Sequence, residues 1–139
     1  LLYVDLDNFK FYNDTYGHEI GDLVLKRFSE IFLNVIDEQG YAVRYGGDEF
    51  LLVLQNSDEE HGVEIAKRIY DKISDGFQGL LRDYMNTTVI IPNDKRISCS
   101  IGIAKYLSGD KSRVFEALSK ADALLYQVKK NGKGRYEVA

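Results

Sequence analysis

Two short apolar runs, Tyr41-Ala42-Val43 and Leu51-Leu52-Val53-Leu54, flank the segment Arg44-Tyr45-Gly46-Gly47-Asp48-Glu49-Phe50. Both runs read as strands, and a glycine-containing turn between such runs signals an antiparallel hairpin, here over about 41–55. Glycine tolerates positive φ and lets backbone lie close to a ligand. A plain hairpin needs the glycines but has no use for two adjacent acids. Carboxylates at the tip of a turn put oxygens where a metal ion could collect them, although by spacing alone the same acids also suit a simple polar turn.

The rest of the chain supplies elements to pack around this hairpin. Leu1 to Leu6 is an apolar strand running into Asp5-Leu6-Asp7, and Asn8 to Gly17 reads as an irregular polar-aromatic connection. From His18 to about Ile36, Ile20, Val24, Phe28, Ile31, Phe32 and Val35 recur at helical spacing. Ser57-Asp58-Glu59-Glu60 offers helix-start chemistry for a helix reaching about Leu81, with Gly76 and Gly79 weakening its last turns. Thr87 to Ile91 and Arg96 to Ala104 read as strands around Pro92-Asn93-Asp94. A third helix opens at Ser112 or Arg113, with Val114, Leu118, Ala121, Leu125 and Val128 on one stripe. Asn131-Gly132-Lys133-Gly134 ends it, and Arg135 to Val138 forms a last short strand. This order predicts an α+β domain, an elaborated ferredoxin-like sheet with helices packed on it.

Composition narrows the classes of function. A chain of 139 residues is expected to form one domain over 1–139. It has no apolar run long enough to span a membrane. The formal charge of −4 argues against a general nucleic-acid surface. The single cysteine, Cys99, excludes an internal disulfide and a multi-cysteine zinc site, and suits a reducing cytoplasm. The abrupt start inside Leu1-Leu2-Tyr3-Val4, without a charged leader, reads as an N-terminally truncated part of a longer protein.

Asp5 and Asp7 are further acids with possible chemistry. They sit two residues apart at a strand end and so share a face. Asp5 follows four apolar residues and is the better placed to turn inward, whereas Asp7 is expected in solvent on the rule that charges stay exposed. Mg²⁺ on a nucleotide takes one or two carboxylates together with waters and phosphate oxygens, so Asp5 adds weight to Asp48 and Glu49 as candidate ligands.

With Asn8-Phe9-Lys10 and the run Asn13-Asp14-Thr15-Tyr16-Gly17-His18-Glu19-Ile20-Gly21-Asp22, the sequence resembles the GGDEF family, the bacterial diguanylate cyclases. The resemblance covers nearly the whole chain. It includes Asp5 to Lys10, Asn13 to Asp22, Arg44 to Phe50, Ser100-Ile101-Gly102-Ile103-Ala104, and Ala121-Asp122-Ala123-Leu124-Leu125-Tyr126 with Lys129 and Gly132. It implies a palm-like nucleotidyl-cyclase fold with a mainly antiparallel sheet flanked by helices. It also implies an activity, condensation of two GTP to cyclic di-GMP with release of two pyrophosphates, across a homodimer of half-sites.

By the same resemblance Mg²⁺ (or Mn²⁺) is held by Asp5, the Leu6 carbonyl and Asp48, and Glu49 supports the metal or the attacking hydroxyl. Gly46 and Gly47 admit the nucleotide. Asn13 and Asp22 recognise guanine, whose N1–H and 2-amino donors suit a carboxylate and are not presented by adenine. Phe9, Lys10, Lys129 and Lys133 complete the substrate contacts. Lys133 stands where the family commonly has arginine, keeping the charge and losing the bidentate fork. His18 packs or caps at the helix start.

Two departures from the family pattern stand out. At the usual Arg-x-x-Asp inhibitory product site this chain has Asp37-Glu38-Gln39-Gly40, so that site is expected to be absent. The segment from about Leu81 to Arg96 is longer than the family pattern, and the usual Asp-x-Leu-Thr-Gly-Leu-x-Asn-Arg lead-in is missing. The implied setting is the cytoplasm, with an upstream sensory or regulatory domain in the same chain and no contact of this domain with membrane or nucleic acid. The alternative is a catalytically silent GTP-binding regulatory module. A cyclase for another nucleotide is disfavoured by Asp22.

Overall fold

The computed structural model describes residues 1–107 and 111–139. Among the described residues five strands and five α-helices follow one another as β1 (Leu2–Asp7), α1 (Phe9–Tyr16), α2 (His18–Ile36), β2 (Gly40–Arg44), β3 (Glu49–Leu54), α3 (Glu59–Ile73), α4 (Gln78–Met85), β4 (Ser98–Ile103), α5 (Lys111–Lys130) and β5 (Tyr136–Val138), with short 3-10 turns at Asp37–Gln39 and Asn93–Lys95. The sheet order is β2-β3-β1-β4-β5. All neighbours are antiparallel except β4 and β5, which run parallel. This is the α+β arrangement the element order predicts.

β1 lies at the centre because alternate residues serve two cores. Leu2, Val4 and Leu6 face a large cluster with Ile20, Phe28, Phe32, Ile65 and Ile69 from α2 and α3. Tyr3 faces the other way, onto Ala121 and Leu125 of α5. That second face carries Asp5, so the strand that builds the core also carries the leading candidate acid.

α5 lies very close to β4 at Gly102, where an added Cβ would sit 2.0 Å from the Ala121 carbonyl oxygen. On the α5 stripe Ala117, Ala121, Leu125 and Val128 are buried, while Val114 is exposed. α5 packs on β4, β5 and β1, and Tyr41, Val43 and Tyr45 of the hairpin are exposed.

Three predicted elements differ. The connection 8–17 holds α1, because Phe9 and Tyr12 recur at helical spacing and dock on the core, Tyr12 being fully buried. The Tyr12 hydroxyl also donates to the Lys95 carbonyl at 2.7 Å. The long helix to Leu81 is instead α3 and α4, broken where Gly76 and Phe77 adopt φ of 62° and 58°. Thr87 to Ile91 is not a strand: it is β-branched, but no neighbour in the sheet pairs with it, and Ile90 is 89% exposed. Among the described residues no helix is long and apolar enough to cross a membrane.

Candidate active site

The hairpin tip is built by backbone and one arginine. The Glu49 carbonyl accepts from the N–H groups of Tyr45 and Gly46 at 2.9 and 3.2 Å. Arg44 folds over the turn and donates to the Gly46 and Gly47 carbonyls, the shortest bond being 2.7 Å to Gly47. Neither glycine adopts the positive φ that the sequence suggests. At Gly46 an added Cβ would lie 2.6 Å from the Glu49 carboxylate, which would have to swing aside. A Cβ on Gly47 would meet nothing within 4 Å, so that face of the turn is open.

Strand pairing brings the hairpin to β1. Asp5 sits opposite Glu49 in register, and the Leu6 N–H donates to the Asp48 carbonyl at 2.9 Å. The Asp5, Asp48 and Glu49 side chains are all partly buried. Lys129, in the last turn of α5, donates its ammonium to Asp5 Oδ1. The Tyr3 hydroxyl donates to Glu49 Oε1 at 3.3 Å, and its ring stands edge-on to Tyr45. Burial, followed by the Glu49 charge, pushes that hydroxyl far above its ordinary range, so it remains a neutral donor.

Burial pushes the Asp5 carboxyl up to about 6; the Lys129 ammonium opposes the shift and the charges of Asp48 and Asp7 add to it. The folded state therefore holds this proton more tightly than the unfolded chain. Its contribution to stability is present at low pH and is lost as pH rises from roughly 4, the ordinary carboxylate value, through about 6. Without divalent cation, urea unfolding is expected to show this fall, and Asp5→Asn to flatten it. An Asp5→Asn variant with the native pH slope would refute Asp5 as its source.

The two residues expected to recognise guanine lie on neighbouring helices. The Asn13 carboxamide of α1 lies over Gly21, whose added Cβ would sit 1.7 Å from Asn13 Oδ1. Gly21 precedes Asp22, which is exposed on α2. Phe9 packs partly against the core, while Lys10 on the same helix is exposed. Lys133 is exposed too, on the turn after α5 at φ 62°. His18 is exposed at the first position of α2 and shows no packed role.

Asp7 is the clear correction. It is 3% exposed rather than solvated, and accepts from Ser98 Oγ, Ser100 Oγ and the Gly134 N–H at 2.7, 2.8 and 3.0 Å. The signal lay in the alternation of Ser98 and Ser100 along β4, two hydroxyls on one face with no apolar use. Tyr3 and Arg44 also escaped the sequence reading. Tyr3 is two residues before Asp5, on the same face, and Arg44 immediately precedes the turn.

Among the described residues no three His, Cys, Asp or Glu side chains gather into a ready metal cage. The donor set still fits a nucleotide-borne Mg²⁺ or Mn²⁺, which needs few protein oxygens. Here the carboxylates of Asp5 and Asp48 lie on neighbouring segments where they would be available for that, and Asp5 already attracts a cation, Lys129.

Acids where a central strand meets a hairpin tip, under one lysine-bearing helix, define a palm-like nucleotidyl-cyclase domain. A family model described as "Diguanylate cyclase, GGDEF domain" matches residues 1–135, and the chain belongs to that family. It is 35% identical over 136 residues to the bifunctional diguanylate cyclase/cyclic di-GMP phosphodiesterase MucR of Pseudomonas aeruginosa, covering 98% of this chain and 18% of that protein. It is 33% identical over 135 residues to diguanylate cyclase A of Treponema denticola, covering 97% of this chain and 33% of that one. The chain thus spans a third or less of the length of these relatives. The solved active GGEEF domain of a diguanylate cyclase from Vibrio cholerae aligns with a TM-score of 0.78 and 28% identity, over 99% of this chain and 80% of that chain.

Proposed function

We propose that the domain condenses two GTP into cyclic di-GMP, two copies facing each other with one GTP apiece. The observation that carries this reading is the meeting of Asp5 and Asp48 through the Leu6–Asp48 backbone bond, beside Lys129, in a chain of this family. Each ribose 3′-oxygen forms a bond to the α-phosphorus of the opposite GTP. The bond from that phosphorus to the β-phosphate bridging oxygen breaks, and pyrophosphate leaves. Asp48 or Glu49 is the candidate to take the 3′-hydroxyl proton.

Asp5, the Leu6 carbonyl and Asp48 would hold Mg²⁺ or Mn²⁺, which when bound neutralises phosphate charge and orients the reacting oxygens. Lys129, Lys10 and Lys133 add positive charge along the triphosphate, the largest kind of contribution in such transfers. Phe9 supports the helix that carries Lys10. Gly47 leaves room for the nucleotide to lie against the turn. A half-site of this kind works where GTP is available, in the cytoplasm, and upstream segments of a longer chain would control the pairing of the two domains. The family's primary inhibitory site is not formed by Asp37, Glu38, Gln39 and Gly40, which lack its arginine.

The test is pyrophosphate release from GTP with Mg²⁺ by the domain held as a dimer through a fused coiled coil. GTP binding without pyrophosphate or cyclic product would overturn the catalytic reading and leave a silent GTP-binding module. Base choice has its own test. Asp22→Ser removes the acceptor for the guanine donors, so the preference for GTP over ATP is expected to fall by roughly a hundredfold, about 3 kcal/mol. Unchanged selectivity in competition binding would remove Asp22 from that role.

A further inference from the structure

Asp7 is the acid that the proposed chemistry leaves unused. A carboxylate taken out of water needs donors at its oxygens, and three neutral ones meet it. Ser100 Oγ serves Oδ1, while Ser98 Oγ and the Gly134 N–H share Oδ2. The two serines belong to β4, which already pairs with β1 at Asp7↔Ser98 and Asp5↔Ser100, so they form a rigid seat. The Gly134 bond differs: it reaches 127 residues along the chain and ties down a loop.

The loop is anchored at its ends, where the Asn131 N–H donates to the Gln127 carbonyl at 2.9 Å and the Arg135 carbonyl accepts from the Ile101 N–H at 3.0 Å, and the Gly134 bond holds the strained turn between them. Gly132, Lys133 and Gly134 adopt φ of 115°, 62° and 61° in succession. Glycine accepts such values freely, but a side-chain-bearing residue does so only under constraint. The constraint on Lys133 comes from either side. Its own N–H donates to the Val128 carbonyl at 3.0 Å, closing the end of α5, and the next N–H donates to Asp7. The point at which the Lys133 side chain leaves the backbone is therefore set jointly by the end of α5, by β4 and by β1 at Asp7, two residues beyond Asp5.

We propose that Asp7 is a positioning residue for phosphate recognition: it pins the 132–134 turn to the end of β1, so that Lys133 is held in register with the Asp5–Lys129 pair. The role rests on the reading of Lys133 as a phosphate contact. It gives the lysine, which lacks the planar fork of arginine, a backbone already ordered before the triphosphate arrives. Asp7 itself touches neither substrate nor metal in this scheme.

The experiment is a double-mutant cycle on the dimerised domain, read as KM and kcat for GTP with Mg²⁺, beside hydrogen exchange at the Gly134 amide. Lys133→Met is expected to raise KM by about tenfold, as for a lost charge-assisted contact. Asp7→Asn keeps an acceptor but loses the charge and one oxygen. It is expected to raise KM to a similar extent with kcat within about threefold, to accelerate Gly134 exchange by about tenfold, and to leave little further effect for Lys133→Met.

An undiminished Lys133→Met effect in the Asp7→Asn background, or unchanged Gly134 exchange, would overturn the role of Asp7 while the phosphate reading of Lys133 stands. A Lys133→Met variant with native KM would remove the phosphate reading, and the role of Asp7 with it. Gly134→Ala carries the same cycle if Asp7→Asn does not fold. It strains the turn from an exposed position, and additive KM effects with Lys133→Met would again overturn the proposal.

Discussion

Asp48→Asn is expected to lower cyclic di-GMP formation by about a thousandfold or more, roughly 4 kcal/mol of transition-state stabilisation, while the domain stays folded. The two halves of this expectation have separate causes. The bond that joins the hairpin to β1 uses the Asp48 backbone carbonyl, which asparagine retains. The side chain is only partly buried, so its replacement should shift stability by no more than about 0.5 kcal/mol. What asparagine loses is the negative charge beside Asp5, one of the two carboxylates assigned to the metal. Pyrophosphate release from the dimerised domain measures the first half and thermal unfolding the second. Activity within tenfold of native would remove Asp48 from the reaction, and a large loss of stability would show that the side chain holds the fold.

The largest expected effect on stability lies away from the acids. Gly102→Ala should destabilise the domain by about 3 kcal/mol or more, with a fall of about 10 °C in Tm. The added methyl would lie 2.0 Å from the Ala121 carbonyl oxygen and 2.8 Å from the Leu125 nitrogen. Both are backbone atoms of α5, so no rotamer change relieves the overlap and the helix must move off β4. Because α5 ends at Lys129 and Lys130, GTP affinity should fall with stability. Gly47→Ala is the contrast for stability, since a methyl there meets open space and Tm should stay within about 2 °C. Equal melting temperatures for native and Gly102→Ala proteins would show that α5 does not sit this close to the sheet.

Much of this architecture was legible because local pattern and tertiary role agree. The alternation through Ile97, Cys99, Ile101 and Ile103 names the face of β4 that joins the main core, although Ser100 and Gly102 on the other face are buried under α5 as well, and the spacing from Ile20 to Val35 names the inner face of α2. Where the two disagree, pattern misleads. Thr87 to Ile91 has strand chemistry without a neighbour to pair with, and α1 is a helix whose aromatic anchors are interrupted by polar residues that face outward.

The site divides in the same way. Asp5 could be read as inward-turning from the apolar residues before it. Asp7 could not be read from β1 alone, because the donors that make its burial tolerable come from Ser98, Ser100 and Gly134, and only the serine alternation of β4 hints at them. The glycines of the turn do not make use of positive φ. Gly46 yields room to a carboxylate rather than adopting an unusual backbone angle.

The three bonds to Asp7 span 91, 93 and 127 residues of sequence. Closing loops of that size precedes any gain from the contacts they bring, so such pairings form slowly. On the ribosome, β1 emerges before either β3 or β4, yet needs both beside it. Until the chain has been made past Ile103, the strand that carries the reactive acid lacks one of its two neighbours, and until it is past Gly134 the Asp7 carboxylate lacks its third donor. A nascent domain of this topology acquires its chemistry at the last step of its folding, and it is during that wait that it most needs shielding from other chains.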